Sequence, residues 1–151
     1  MNREILFRAK HIHEIPGNEH LNGTWVYGYL SDKDYIYDKS LNGEFLIDEN
    51  TICQYSGRTD KNKKKIFEGD ILRGFQYPFC HDGEYNYYAE IIFANCSFMT
   101  YTHKNPSSCV RGISDGNTEL MECWVSEDWE VIGNIYDNPE LLEEENVHGT
   151  D

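Results

Sequence analysis

The chain has 151 residues, the size of one ordinary domain, and at that length folding buries roughly 70% of the unfolded surface, enough for a core without staples. Hydrophobic residues are 39% and aromatics 14% of the chain, with eleven Tyr, seven Phe and three Trp, which excludes a disordered polymer. Against 13 basic residues stand 27 acidic ones, and the formal net charge of −14 repels phosphate backbones, so general nucleic-acid binding is not expected.

In chain order, Glu4 to Lys10 alternates with Ile5, Phe7 and Ala9 on one side, the period-two signature of a half-buried strand, and Ile15-Pro16-Gly17-Asn18 breaks it. Leu21-Asn22-Gly23 reads as a turn before a second strand, Trp25 to Leu30, whose Trp25, Tyr27 and Tyr29 share a face. Tyr35-Ile36-Tyr37 and Glu44 to Ile47 are short strands between turn residues. Cys53-Gln54-Tyr55 is another strand, and Ser56 to Asp60 leads into the polar loop Lys61-Asn62-Lys63-Lys64-Lys65, followed by Ile66 to Leu72. Tyr85 to Phe93 is the longest strand, pairing with Phe98 to Thr102 across Ala94-Asn95-Cys96-Ser97. Asn105 to Asn117 reads as a surface loop, and Leu120 to Val125 and Trp129 to Ile132 are the last strands. Asn138-Pro139-Glu140 opens a short helix, with Asn138 as its cap and Pro139 at the first position, and the tail from Asp137 to Asp151 holds six acids and no Lys or Arg.

Two blocks stand out together: Gln54 to Asn62 followed by Lys65-Ile66-Phe67-Glu68-Gly69-Asp70-Ile71-Leu72, and Val131-Ile132-Gly133-Asn134-Ile135-Tyr136-Asp137-Asn138-Pro139-Glu140-Leu141-Leu142. In this order, with Ile5 to Ala9 and Gly23 to Leu30 at the beginning, they resemble the YopX family of phage and prophage proteins. The resemblance implies a mainly β (β-rich α+β) fold: a small SH3-like β-barrel over residues 53–136, a strand-rich segment over 1–52, and a short helix with acidic tail over 137–151. It implies no established activity. Where the family commonly has Gly after the Asn of the first turn this chain has Lys63, so Asn62 is expected to take the left-handed position instead.

The motif residues have architectural tasks. Gly57 and Gly69 mark bends or close backbone approach, Asp60 and Asp70 can accept from turn or strand-end amides, and Gly133 suggests a bulge. Phe67, Asn134, Asn138 and Pro139 complete the structural set.

Chemistry-bearing arrangements are sparse. Cys53, Cys80, Cys96, Cys109 and Cys123 form no CxxC pair and read as reduced, largely buried thiols, and neither Cys80-His81 nor His103 with Cys109 makes the paired pairs of a zinc site. Asp32 and Asp34 lack the Gly and closing Glu of a calcium loop, and no phosphate-cradling or nucleophile-elbow motif occurs. No metal, cofactor or catalytic residue is therefore expected. Lys61, Lys63, Lys64 and Lys65 are a candidate docking patch against the bland reading of a solvated hairpin tip, and Tyr85, Tyr87, Tyr88 and Phe93 read as packing aromatics. No apolar run reaches the ~18 residues of a membrane-spanning helix, and the apolar stretch before Arg8 is too short for a signal peptide, so the expected place is the cytoplasm of a bacterial host.

The sequence thus ranks a non-enzymatic, phage- or prophage-encoded protein-interaction module first, partnered by itself and by a host or phage protein. The alternatives are an acidic mimic of nucleic acid that inhibits a host DNA- or RNA-binding protein, and an unrecognised enzyme using Cys80, His81 or His103.

Overall fold

The computed structural model describes residues 3–75, 86–104, 118–121 and 129–143. Its contacts divide the chain into two compact units, the first running to Arg58 and including Lys65–Glu68, the second made of Thr59–Lys64 and the chain from Gly69 on. Sequence had set a boundary at residue 52. Cys53–Arg58 falls instead with the first unit, because strand β5 (Cys53–Thr59) pairs with β1 (Phe7–Lys10) through Phe7 opposite Gln54 and Arg8 opposite Cys53.

The first unit is built on a six-stranded sheet in the order β4-β3-β2-β1-β5-β6, with β2 at Trp25–Asp32, β3 at Tyr35–Asp38, β4 at Gly43–Leu46 and β6 at Lys65–Phe67. Antiparallel pairing of β1 with β2, β2 with β3 and β3 with β4 fixes which side chains share a face. Ala9, Val26, Ile36 and Ile47 form its aliphatic core, with Phe7, Phe45 and Ile52 packed against it. Gly28 is required by close approach: a Cβ there would stand 1.9 Å from the Tyr37 carbonyl oxygen, so a side chain would push β3 off β2. Beyond β1, the 3-10 turn Glu49–Thr51 takes over the pairing, with Asp48 N donating to Lys10 O at 2.8 Å and Lys10 N to Thr51 Oγ1 at 2.9 Å.

The second unit holds a five-stranded antiparallel sheet in the order β10-β9-β8-β7-β11, with β7 at Asp70–Phe75, β8 at Asn86–Ala94, β9 at Ser97–Lys104, β10 at Thr118–Leu120 and β11 at Trp129–Asn134. Leu72, Ala89, Ile91, Thr100, Thr102 and Trp129 are buried there, and the Trp129 indole lies so close on Gly74 that a Cβ would meet its ring at 2.4 Å. The fold is therefore mainly β, in two sheets. Among the described residues no ladder joins β10 to β11, so the five strands form an open sheet and the SH3-like barrel is not closed.

The hairpin expected between β8 and β9 is present, turning on Asn95 and Cys96 at φ 52° and 61°, the mirror-image two-residue turn that matches strand twist. The terminal helix differs from expectation: it is one 3-10 turn, Pro139–Leu142, and Asn138 makes no side-chain cap bond to it. Its amide oxygen is turned back onto β11. The loop 105–117, the Cys80-His81 turn, Tyr85, Cys109, Cys123 and the acidic tail from 144 lie outside the described residues.

Candidate functional site

The two motif blocks resolve into hydrogen-bonded corners. Gly57 has φ +89° with open space where a Cβ would be, so conformation alone selects glycine there. Ser56 Oγ donates to Ile66 O at 2.7 Å, tying β5 to β6. Asp60, 1% exposed, then organises the loop: Oδ1 accepts from the amides of Asn62 at 2.8 Å and Lys64 at 2.9 Å, and Oδ2 from that of Val131 at 2.9 Å. Lys61 N also donates to Trp129 O at 2.9 Å, so the tip lies along β11. Lys63, not Asn62, takes the left-handed conformation at φ 67°. With Asn62 N held on Asp60 Oδ1, the next residue makes the reversal, and the side chain at that position bears the strain that glycine would avoid.

Gly69, at φ +83°, donates to Ile91 O at 2.7 Å and accepts from Ile135 N at 2.9 Å, joining both blocks within the second unit. Asp70 follows, buried and opposite Asn134 in the β7–β11 ladder. That ladder slips between Val131 and Gly133, the bulge that Gly133 suggested. A Cβ on Gly133 would stand 2.5 Å from Asn138 Oδ1, which accepts from Asn134 N at 3.3 Å. Asn134 Oδ1 in turn accepts from the amides of Tyr136 at 3.0 Å and Asp137 at 2.9 Å, and its Nδ2 donates to Asp137 Oδ2 at 3.1 Å. Asn138 is spent on this corner and is not available to cap the turn that Pro139 begins.

Two of the four lysines of the candidate patch stand beside acids. Lys61 Nζ lies 3.9 Å from Glu130, and Lys65 Nζ lies 3.0 Å from Glu4 and 5.4 Å from the Tyr55 ring centre. Lys63 and Lys64 are exposed.

The other face of the six-stranded sheet, away from the aliphatic core, is aromatic and cationic. Arg8, 4% exposed, stands with its guanidinium carbon 4.7 Å from the Trp25 ring and 4.9 Å from the Phe67 ring, and Lys10 Nζ is 5.2 Å from Trp25. Phe67 also meets Tyr27 and Tyr55 edge to face, each at 5.6 Å between ring centres. Phe67 and Tyr55 are buried, whereas Tyr27 is 42% and Tyr29 52% exposed, and Tyr29 lies opposite Tyr37, which lies opposite Glu44. Across this face the order runs from cations on β1, through a tyrosine band on β2 and β3, to an acid on the edge strand β4. Sequence placed the band correctly on one face. It missed Arg8, because a lone arginine in an alternating strand carries no sign of the rings that enclose it.

On the second unit, Arg73 donates through Nε and Nη2 to Glu130 Oε1 across β7 and β11, the Nε bond at 3.1 Å. That bond outweighs burial and holds the Glu130 carboxyl below its ordinary value, and it raises the Arg73 guanidinium. His103 Nε2 lies 3.0 Å from Glu90 Oε1, with the Tyr101 ring edge-on at 4.8 Å. Among the described residues, Cys53 is a buried and Cys96 an exposed thiol, and no group of three or more His, Cys, Asp or Glu side chains is assembled to hold a metal ion. No helix there is long and apolar enough to cross a membrane.

The family description "YopX protein" matches residues 7–143, and the chain belongs to that family. Among solved structures it is similar to protein EF1440 from Enterococcus faecalis, at 24% identity and a TM-score of 0.47, covering 94% of this chain and all, 100%, of that one. No curated protein matches it.

Proposed function

We propose that this YopX-family chain is a non-enzymatic interaction module of a phage or prophage that works in the bacterial cytoplasm and first associates with a second copy of itself. The observation that carries this reading is the exposed tyrosine band on β2, where Tyr27 and Tyr29 present large rings to solvent on the face away from the aliphatic core. Aromatic side chains anchor interfaces because they bury much area at little entropic cost. The arrangement suits a two-fold pair. With Lys10 on one side of the band and Glu44 on the other, two copies stacked face to face set the basic side of each against the acidic side of its mate. This lets chains of net charge −14 approach without opposing their carboxylates.

Light scattering across a concentration series tests it. The expected mass is that of a dimer, falling to that of a monomer in Tyr27→Ser/Tyr29→Ser with an unchanged circular dichroism spectrum. A wild-type monomer at every concentration overturns the reading. A host protein captured from lysate by the monomeric variant and the wild type alike would place partner recognition elsewhere on the chain.

A further inference from the structure

Two histidines outside every motif meet where β1 ends, and a third follows in the turn before β2. His11 and His13 are two apart on an extended stretch, which sends both imidazoles to the same side, and their ring centres are 3.9 Å apart with the planes at 69°. His20 sits in the 3-10 turn Glu19–Leu21, whose following residues Asn22 and Gly23 bond the backbone of His13 and His11.

The backbone beneath them is tied on both sides. His11 N donates to Thr24 O at 2.8 Å, His11 O accepts from Gly23 N at 3.1 Å, Ile12 N donates to Leu46 O at 2.9 Å, and His13 N donates to Asn22 Oδ1. His11 Nδ1 is 2.7 Å from the Leu46 carbonyl oxygen. A carbonyl only accepts, so Nδ1 carries a hydrogen, and in the neutral ring Nε2 is the nitrogen with the lone pair. A ring nitrogen fixed on a backbone carbonyl with the other left as a donor is the arrangement that metal-binding histidines share. The Phe45 ring, edge-on to His11 at 5.1 Å, restricts that imidazole further.

We infer that His11 and His13 form a binding site for a divalent transition-metal ion of the imidazole-preferring class, such as zinc or nickel, with His20 swinging in as a third donor. Nitrogen ligands exclude magnesium and calcium as the natural occupants. Two imidazoles stand together and the third must move to join them, so water completes the coordination. The ion would clasp the end of β1 to the turn that precedes β2.

The test is calorimetric titration of nickel chloride into untagged full-length protein carrying Cys96→Ser, with the thermal midpoint read in parallel. One ion per chain is expected, raising the midpoint. Affinity should fall at least about tenfold in His13→Gln and in His11→Gln, by less in His20→Gln, and not at all in His103→Gln. His11→Gln also removes the bond to Leu46 and can weaken the fold, so His13→Gln, whose ring makes no such backbone bond, decides. Absence of a saturable site overturns the inference, as does binding that survives His11→Gln/His13→Gln, which would put the ion on other donors.

Discussion

Among the described residues, two of the turns that hold non-glycine residues in the left-handed region do so by different means. The loop Asp60–Lys64 bends at Lys63 around a buried carboxylate that accepts three amides, two of its own and one from β11. The turn Ala94–Ser97 bends at Asn95 and Cys96 and rests on the ladder at its base, Phe93 opposite Phe98 and Ala94 opposite Ser97. The first turn owes its shape to one central acceptor and the second to the strands it joins. Removing the acceptor should therefore collapse the first turn, whereas the second should respond to side-chain changes at the turn itself.

The largest effect is expected at Asp60. Asp60→Ala removes a buried carboxylate from the amides of Asn62, Lys64 and Val131, and should cost about 3 kcal/mol in urea unfolding. A loss within experimental error would mean the loop is held by something else.

Asp38 extends the same device to the first unit, accepting from Ser40 N at 2.9 Å, Ser40 Oγ at 2.6 Å and Tyr27 N at 3.2 Å. Burial pushes its carboxyl up, but the bonds from Ser40, Tyr27 and Leu41 prevail and hold it below the ordinary 3.8. A group depressed on folding contributes fully above its unfolded value and loses that contribution as pH falls through its folded one. Asp38→Ala should thus cost about 2 kcal/mol at neutral pH, and the gap from wild type should close on acidification below pH 3.8. A gap that stays constant down the acid limb would rule the carboxylate out as its source.

Glycine substitutions sharpen the contrast from the other side. Cys96→Gly relieves a β-turn position at φ 61° and should raise stability by about 1 kcal/mol, with the exposed thiol removed as well. Lys63→Gly should gain about 0.5 kcal/mol, the smaller figure because Asp60 already restrains the loop. Chevron or equilibrium melts of both would refute the distinction if Lys63→Gly gained more.

Alternation and turn residues were enough to find most of the described strands, whereas β10 lies at Thr118–Leu120, ahead of the strand expected from Leu120 to Val125, of which residues 122–125 are outside the described residues. The band Trp25-Tyr27-Tyr29, the short pair at β3 and β4 and the β8–β9 hairpin all declare themselves because pleat and turn chemistry are local. Sheet order was not legible, since the insertion of β1 between β2 and β5 depends on long-range pairing that no local pattern records. Ile66 to Leu72 read as one segment with a bend marked at Gly69, and Gly69 at φ +83° divides it into β6 and β7 in different sheets. Asn138 looked like a helix cap by type and neighbours, and its side chain went instead to the corner that Gly133 leaves open. The histidine pair was legible in principle, since His11 and His13 have the spacing that an extended chain turns into a shared side.

The chain passes from one unit to the other after Arg58, returns after Lys64 and leaves again after Glu68. A gene cut before residue 59 would strand the first sheet without β6, and one begun at Gly69 would leave Val131 without the carboxylate of Asp60. No single recombination point can exchange one half for a foreign counterpart intact. The two sheets must be inherited together, and any lineage that reshuffles its genes in blocks has to move this one whole.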